Sequence, residues 1–109
     1  MSNKAAILRQ RARQDIDGAI DYYLVEAGER VALGFIDALE EALRAVERDP
    51  AAGSPRYAHE LSLPGLRSRI LRRYPYLVFY VERDEVVDVW RVLHAARDIA
   101  AWLRGERDA

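Results

Sequence analysis

The chain has 109 residues, no cysteine and a formal net charge of −1 at pH 7. Half of its residues are hydrophobic and 32% are charged, which is the balance of a folded chain and not of a disordered one. These figures predict one domain over residues 1–109 and exclude a disulfide framework and cysteine chemistry.

The sequence also gives no sign of a membrane segment or a metal site. No apolar run approaches the roughly 20 residues that a membrane helix needs, and the N-terminus lacks the apolar stretch of a signal peptide. We therefore expect a cytoplasmic protein. The two histidines, His59 and His94, are far apart among scattered acids, so we expect neither a metal nor another cofactor.

The small net charge conceals two regions of opposite sign. Between Asp15 and Asp49 there are ten acidic residues and three basic ones, whereas Leu66–Pro75 has four arginines and no acid. A basic strand attracts phosphate groups or acidic proteins. Alternatively, such arginines protect an exposed strand from aggregation. The four are Arg67, Arg69, Arg72 and Arg73.

The N-terminal half predicts a short strand and two helices. Lys4–Gln10 is the candidate strand, and two apolar stripes at helical spacing follow it. The first stripe is Ile16, Ile20, Tyr23, Leu24 and Ala27, and the second is Ala32, Phe35, Ile36, Leu39, Ala42, Leu43 and Val46. Gly28 favours the left-handed conformation that ends a helix, and Asp49-Pro50 ends the second helix. The pattern indicates an antiparallel helical hairpin.

The C-terminal half predicts a loop, three consecutive strands and a short helix. Glycine and proline dominate the loop, Pro50–Gly65, within which His59–Leu63 is a possible short strand. Branched and aromatic residues then favour strands over Leu66–Tyr74, Tyr76–Arg83 and Glu85–Leu93, with a tight turn at Arg83-Asp84. Arg97–Arg104 predicts the helix, and the charged tail from Gly105 is expected to fray.

This order of elements predicts an α+β fold. It comprises an N-terminal strand, an antiparallel helical hairpin packed on an antiparallel three- to four-stranded sheet, and a short C-terminal helix. Alternation along the middle strand places Leu77, Phe79 and Val81 on one face and Tyr76, Val78 and Tyr80 on the other. The hairpin covers only one of these apolar faces. The other is covered by the terminal helix, covered by a partner, or exposed as an interaction site.

Few residues suggest catalysis. The sequence has no nucleophile elbow, phosphate-binding loop or zinc-binding helix motif. His94 lies three residues before Arg97, a spacing at which an acid–base group and a phosphate-binding group could act together. The alternative is that His94 is a structural, hydrogen-bonding residue at the end of a strand. His59, in a loop, is interpreted as structural.

Three stretches resemble the ParE toxins of the ParE/RelE superfamily. They are Leu63–Arg67 (LPGLR), Arg72–Tyr80 (RRYPYLVFY) and above all Trp90–Asp98 (WRVLHAARD), which Ile99 and Trp102 follow. The VLHxARD ending of the last strand is the most specific part. The order of elements matches that family over nearly the whole chain.

The resemblance implies a toxin of a type II toxin–antitoxin, or plasmid-stabilisation, module. ParE-like members poison DNA gyrase and are held inactive in a hetero-oligomer by a cognate, ParD-like antitoxin whose C-terminal segment folds onto the toxin. RelE-like relatives instead cleave mRNA on the ribosome with basic residues and often a tyrosine or a C-terminal histidine. An inactive relative that still binds its antitoxin is a third possibility. Lys4 is the only lysine and no histidine follows His94, which favours gyrase inhibition over catalysis.

Site residues follow from the resemblance together with the residue types. We expect a polar target-binding surface made of Arg67, Arg69, Arg72, Arg73, Arg91, His94 and Arg97. Antitoxin binding, or packing of the terminal helix, is assigned to Tyr76, Tyr80, Trp102 and Leu103. In the endoribonuclease alternative, Arg72, Arg73 and Arg97 bind phosphate, and His94 or Tyr74 is the acid or base.

Overall fold

A computed structural model describes residues 3–106. Four strands and four helices make up the fold, with a 3₁₀ turn at Pro50–Ala52. In chain order they are β1 (Ala5–Leu8), α1 (Gln10–Glu26), α2 (Glu29–Arg48), α3 (Arg56–Leu61), β2 (Leu66–Ile70), β3 (Tyr76–Glu82), β4 (Val86–His94) and α4 (Ile99–Arg104). Within residues 3–106, no helix has the length and apolar character needed to cross a membrane.

The four strands form one mixed sheet in the order β1-β4-β3-β2. Strands β2, β3 and β4 are an antiparallel meander, as expected, while β1 pairs in parallel with β4. The α+β fold is thus confirmed, with three antiparallel strands as expected and a fourth, β1, that makes the sheet mixed. Three helices and two strands separate β1 from β4, so no short turn forces these neighbours to run in opposite directions.

The helical hairpin covers one face of the sheet. The predicted stripe of α2 is confirmed, with Phe35 fully buried in the core. On α1 the buried positions are Ala12 and Ala19, whereas Leu24, assigned to the buried stripe, is 46% exposed. The helix turns Leu24 away from the sheet, and the small alanines let its backbone lie close to β4. Gly28 adopts the positive φ of 93° that the link between the helices requires.

The second face of the sheet is covered by the chain itself. Phe79, Trp90 and Leu93 of the sheet form a second core with Ile99 and Leu103 of α4. Helix α3 adds Tyr57, whose ring meets Phe79 edge-on at 5.3 Å. Of the alternatives, cover by the terminal helix is therefore confirmed.

Two predicted strands need correction. His59–Leu63 is not a strand, because α3 extends to Leu61, and its Tyr57 and Leu61, four residues apart, both pack on the second core. Strand β2 ends at Ile70 and does not reach Tyr74. There the Leu71 N–H donates to the Tyr76 carbonyl at 3.0 Å, and Arg73 adopts a left-handed φ of 67°. This tight turn makes an extended strand impossible.

The expectation of a frayed tail from Gly105 is wrong for Glu106, which is 2% exposed. Its carboxylate lies 3.3 Å from Arg9, 3.5 Å from Arg11 and 3.7 Å from Arg91. Its backbone carbonyl also accepts a hydrogen bond from Arg9. Attraction to these cations offsets the cost of burying the carboxylate and holds the end of α4 against α1 and β4. Residues 107–109 lie outside the described residues.

Asp88 connects Arg9 to the sheet, and its ionisation is coupled to folding. Burial by itself would raise the pKa of this carboxyl. Hydrogen bonds and attraction from Arg9, with hydrogen bonds from Trp90 and Arg83, outweigh burial and place the pKa below its ordinary value.

This lowered pKa predicts a specific acid sensitivity. Because the folded-state pKa lies below the unfolded one, Asp88 stabilises the fold above the unfolded pKa, and this stabilisation is lost as the pH falls through the folded value. We expect Asp88→Asn to flatten the decrease in stability below about pH 4. Urea unfolding at a series of acidic pH values checks this, with the exposed Asp37→Asn as control. Equal slopes for Asp88→Asn and the wild type would contradict it.

Candidate binding site at one end of the sheet

Two loops that are distant in sequence meet at one end of the sheet. The turn between β2 and β3 and the loop between β4 and α4 are joined by a hydrogen bond of 2.8 Å from the Ala95 N–H to the Pro75 carbonyl. Tyr76 pairs with His94 in the adjoining strands. This register brings the Arg72–Tyr76 segment next to the His94–Asp98 segment. The most specific motif of the sequence therefore lies beside the basic turn.

A cluster of aromatic rings packs against this end of the sheet on the side of the helical hairpin. Phe35 of α2 lies 5.7 Å from Tyr74 and 5.1 Å from Tyr76, between ring centroids. Tyr23 of α1 meets the same two tyrosines at 5.3 and 6.1 Å. The Tyr74 hydroxyl donates to the Val31 carbonyl at 2.8 Å. These contacts fix the turn on the helical hairpin, so the nearby polar groups have defined positions.

A cavity of about 450 Å³ lies between α1, the end of β4 and α4. Helix α1 contributes Gln14, Gly18 and Tyr22, which follow one another at intervals of four residues on one face of the helix. The remaining polar and aromatic lining comes from Asp15, Tyr76, His94, Arg97 and Trp102. Four of the eleven lining residues carry rings, and the cavity contains one guanidinium group, that of Arg97, which forms no ion pair within residues 3–106.

His94 is held in one orientation by its neighbours. Its Nδ1 atom accepts a hydrogen bond of 3.0 Å from the Ala96 N–H, and its ring meets that of Tyr76 edge-on at 5.1 Å. With Nδ1 acting as an acceptor, the neutral ring has its proton on Nε2. His94 can therefore donate a hydrogen bond from Nε2 but has no free lone pair in this state.

Arg97 and Tyr76 set the charge inside the cavity. The Arg97 guanidinium lies 5.0 Å from the centre of the Trp102 ring. Burial raises the pKa of the Tyr76 phenol although the nearby Arg97 cation opposes the shift. At neutral pH the tyrosine is therefore uncharged, and its hydroxyl can donate a hydrogen bond.

Arg91 does not belong to the exposed polar surface, in contrast to the prediction. Its side chain is 5% exposed and makes two hydrogen bonds, of 2.8 and 2.7 Å, to the carboxylate of Asp15. Its guanidinium also lies 4.8 Å from the centre of the Trp102 ring. Arg91 therefore ties α1, β4 and α4 together, and it cannot reach a partner without giving up these bonds.

Asp15 also completes the edge of the sheet. Strand β1 ends at Leu8, opposite Val89, so beyond that point β4 has no strand neighbour on this side and pairs only with β3. There Asp15 accepts a hydrogen bond of 3.0 Å from the Val92 N–H. The carboxylate thus satisfies a backbone donor and the Arg91 guanidinium together.

The other predicted arginines lie outside the cavity. Arg72 and Arg73 line a neighbouring groove of about 330 Å³ with Tyr74, and Arg72 lies 3.4 Å from Glu41 of α2. Arg67 and Arg69 point from β2 towards the hairpin side, where Arg67 donates to the Gly53 carbonyl at 2.8 Å. The seven residues of the predicted surface are thus divided into two cavity residues, two groove residues, two strand residues and the buried Arg91.

The four residues assigned to antitoxin binding or terminal-helix packing also lie in different places. Tyr80 is fully buried under the hairpin, where its hydroxyl donates to the Pro50 carbonyl at 2.7 Å. Leu103 is fully buried in the second core, so it packs the terminal helix on the sheet. Tyr76 and Trp102 line the cavity, and Trp102 is 38% exposed. In this conformation only Trp102 among the four has a large accessible surface.

Sequence reasoning missed the contribution of α1. Gln14, Gly18 and Tyr22 share a face, but their types do not form an apolar stripe, so only their spacing of four could have indicated a common surface. Asp15 carried no signal beyond its charge, because its partner Arg91 is 76 residues away. Within residues 3–106, no group of three histidine or acidic side chains is arranged to hold a metal ion.

The fold is similar to that of a solved structure. Superposition on a chain of the chromosomal ParDE toxin–antitoxin system from P. aeruginosa gives a TM-score of 0.70 and 22% identity, and it covers 84% of this chain and 95% of that chain. Our chain thus has the same α+β architecture as that protein. No curated protein matches the sequence closely enough to be reported.

A family model identifies the protein more narrowly. The model of the ParE toxin of type II toxin–antitoxin systems, parDE, matches residues 6–99, which extend from β1 to the start of α4. The chain therefore belongs to the ParE toxin family. The resemblance inferred from the VLHxARD motif is confirmed.

Proposed function

We propose that the protein acts in the cytoplasm as an inhibitor of DNA gyrase and that a ParD-like antitoxin neutralises it. Membership of the ParE toxin family over residues 6–99 is the observation that carries this proposal. The exposed cations at one end of the sheet support it. Arg73 and Arg97 are exposed and form no ion pair within the described residues, so both are available to the acidic groups of an enzyme–DNA complex.

An apolar surface on the helical hairpin supports binding of an antitoxin. Leu24 and Val25 near the end of α1 and Leu33 near the start of α2 are 46%, 82% and 52% exposed. Exposed apolar residues near the same end of the hairpin favour contact with the apolar side of an amphipathic segment. Acidic residues elsewhere on the hairpin would favour basic residues in the same segment.

The endoribonuclease alternative receives less support from the geometry. RNA cleavage through the 2′-hydroxyl needs a general base, and the Nδ1 lone pair of His94 is already engaged by Ala96. The Tyr74 hydroxyl donates to a backbone carbonyl and lies in the other groove. Neither group is placed as a free base next to Arg97.

A supercoiling and cleavage assay with purified gyrase tests the proposal. We expect the purified protein to inhibit supercoiling or to accumulate cleaved DNA, and the antitoxin of the same module to relieve the effect. If gyrase is unaffected while mRNA is cleaved on translating ribosomes in the presence of the protein, the proposal is wrong and the endoribonuclease alternative is correct. If the antitoxin binds but neither target responds, the protein is an inactive relative.

Paired substitutions connect the assay to the site. We expect Arg73→Ala/Arg97→Ala to raise the concentration that half-inhibits gyrase roughly tenfold or more, because each arginine loses a charge-assisted contact. Arg30→Ala/Arg48→Ala removes the same charge from exposed positions on α2 and should leave inhibition unchanged. Circular dichroism of both variants verifies folding. Equal inhibition by the two double variants would exclude this end of the sheet as the target surface.

A further inference from the structure

We propose that the cavity between α1, the end of β4 and α4 binds one unpaired nucleotide of a single-stranded nucleic acid. The base would occupy the ring-lined part of the cavity, and its phosphate would contact Arg97. The inference depends on the proposed function only for the natural source of the nucleotide, which would be DNA opened by gyrase. Binding of the nucleotide to the cavity does not itself require gyrase.

The dimensions and walls of the cavity suit a nucleotide. Its volume of about 450 Å³ lies within the range of small-molecule sites, roughly 300–1,000 Å³. Four ring-bearing side chains line it, namely Tyr22, Tyr76, His94 and Trp102. Aromatic rings and guanidinium planes are the surfaces on which proteins stack unpaired bases, because every base has a π face. Tyr22 is 58% exposed, so its ring is accessible to a base entering from solvent.

The polar groups of the cavity are mainly hydrogen-bond donors. Arg97 supplies a guanidinium with no carboxylate partner among residues 3–106, and the neutral His94 ring offers Nε2–H. The Tyr76 hydroxyl, like an ordinary phenol, is protonated at neutral pH, and burial shifts its pKa further upward. Asp15, the acidic residue of the lining, is neutralised by Arg91 at 2.7 Å. Such a set of donors complements the carbonyl oxygens of a base and the oxygens of a phosphate.

The residues around the cavity favour a short single strand over a duplex or an acidic peptide. Asp17 and Asp21 are exposed on α1, and their charge opposes a duplex or a long phosphate backbone lying along the helix. An acidic peptide would use Arg97 but would leave the rings without a stacking partner. We therefore expect weak, local recognition of one nucleotide.

Fluorescence anisotropy of the full chain with a short labelled oligothymidylate tests this inference. Single-stranded DNA should bind, and the same sequence as a duplex should bind less well. Tyr22→Ala should weaken binding roughly 5- to 150-fold, the effect of losing one stacking contact. Arg97→Ala should weaken binding roughly tenfold or more, because the phosphate loses a charge-assisted hydrogen bond. Both residues are exposed, so these variants should fold. The controls Ile7→Ala and Arg30→Ala remove an exposed apolar group and an exposed charge away from the cavity and should bind like the wild type.

Each outcome has a defined meaning. Absence of binding, or binding that Tyr22→Ala and Arg97→Ala leave intact, overturns the inference. If a labelled glutamate-rich peptide binds, Arg97→Ala abolishes that binding and the oligothymidylate does not bind, the cavity belongs to an acidic protein segment and the inference is overturned. Oligouridylate in place of oligothymidylate distinguishes RNA from DNA as the source. Nucleotide binding without gyrase inhibition would refute the proposed function alone, and inhibition without nucleotide binding would refute this inference alone.

Discussion

Replacing Arg91 by alanine is expected to lower the free energy of unfolding by about 3–5 kcal/mol, the usual cost of breaking a buried ion pair by removing one partner. The Asp15 carboxylate would lose both guanidinium bonds while its side chain remains only 12% exposed. Glu106 would lose one of its three neighbouring cations. For a domain of this size the loss is a large part of the total stability. Urea unfolding monitored by circular dichroism measures the change.

The chain provides a matched control for this substitution. Arg11 also lies within 3.5 Å of Glu106, but its side chain is 60% exposed. Arg11→Ala should therefore change the stability by less than about 1 kcal/mol. Equal effects of the two substitutions would mean that the burial of Arg91 contributes nothing.

A double-mutant cycle separates the ion pair from the packing of the arginine. Asp15→Ala/Arg91→Ala removes both charges, so it should cost less than the sum of the two single substitutions. Strict additivity would show that Arg91 stabilises the fold through its contacts with Trp102 and not through Asp15.

Replacing Phe35 by alanine should have a comparable effect, about 3–5 kcal/mol, through loss of burial and formation of a void. Phe35 is fully buried, and its ring contacts those of Tyr23, Tyr74 and Tyr76. Because these tyrosines support the turn that contains Arg73, the substitution should also loosen the candidate site. Thermal unfolding measures the first effect, and near-ultraviolet circular dichroism of the aromatic groups measures the second.

Leu33→Ala is the control on the same helix. Leu33 is 52% exposed, so its truncation should cost well under 1 kcal/mol and leave the aromatic spectrum unchanged. A Phe35→Ala variant as stable as Leu33→Ala would show that the aromatic cluster is not part of the stabilising core.

Local patterns predicted the parts of the fold that depend on periodicity. The apolar stripe of α2 and the two faces of β3 follow from spacings of 3.6 and 2 residues, which act over a few neighbouring positions. Where a short segment is compatible with both a strand and a helix, its packing against the rest of the chain decided which one forms. The segment from His59 to Leu63 could extend as a strand, but Tyr57 and Leu61 reach the second core only when the chain is helical from Arg56.

The candidate site was predictable only in part. His94 and Arg97 were found because they lie three residues apart in a recognisable motif, and Trp102 follows closely in sequence. Tyr22 and Asp15 were missed because their roles depend on residues more than 50 positions away in the sequence. Arg91 was misassigned for the same reason, since its sequence neighbours do not reveal that a carboxylate on α1 faces it.

The sequence by itself determined the class of fold, the order of most elements and the ParE family, because periodicity and a contiguous motif are properties of neighbouring residues. Only the tertiary structure decided that β1 runs parallel to β4, that α3 and α4 close the second face, and which charges are free. A charge is available for binding only if no opposite charge packs against it, and long-range packing brings those partners together. Thus Arg91 and Glu106 are buried in ion pairs, while Arg97, six residues from Arg91, remains exposed beside the cavity.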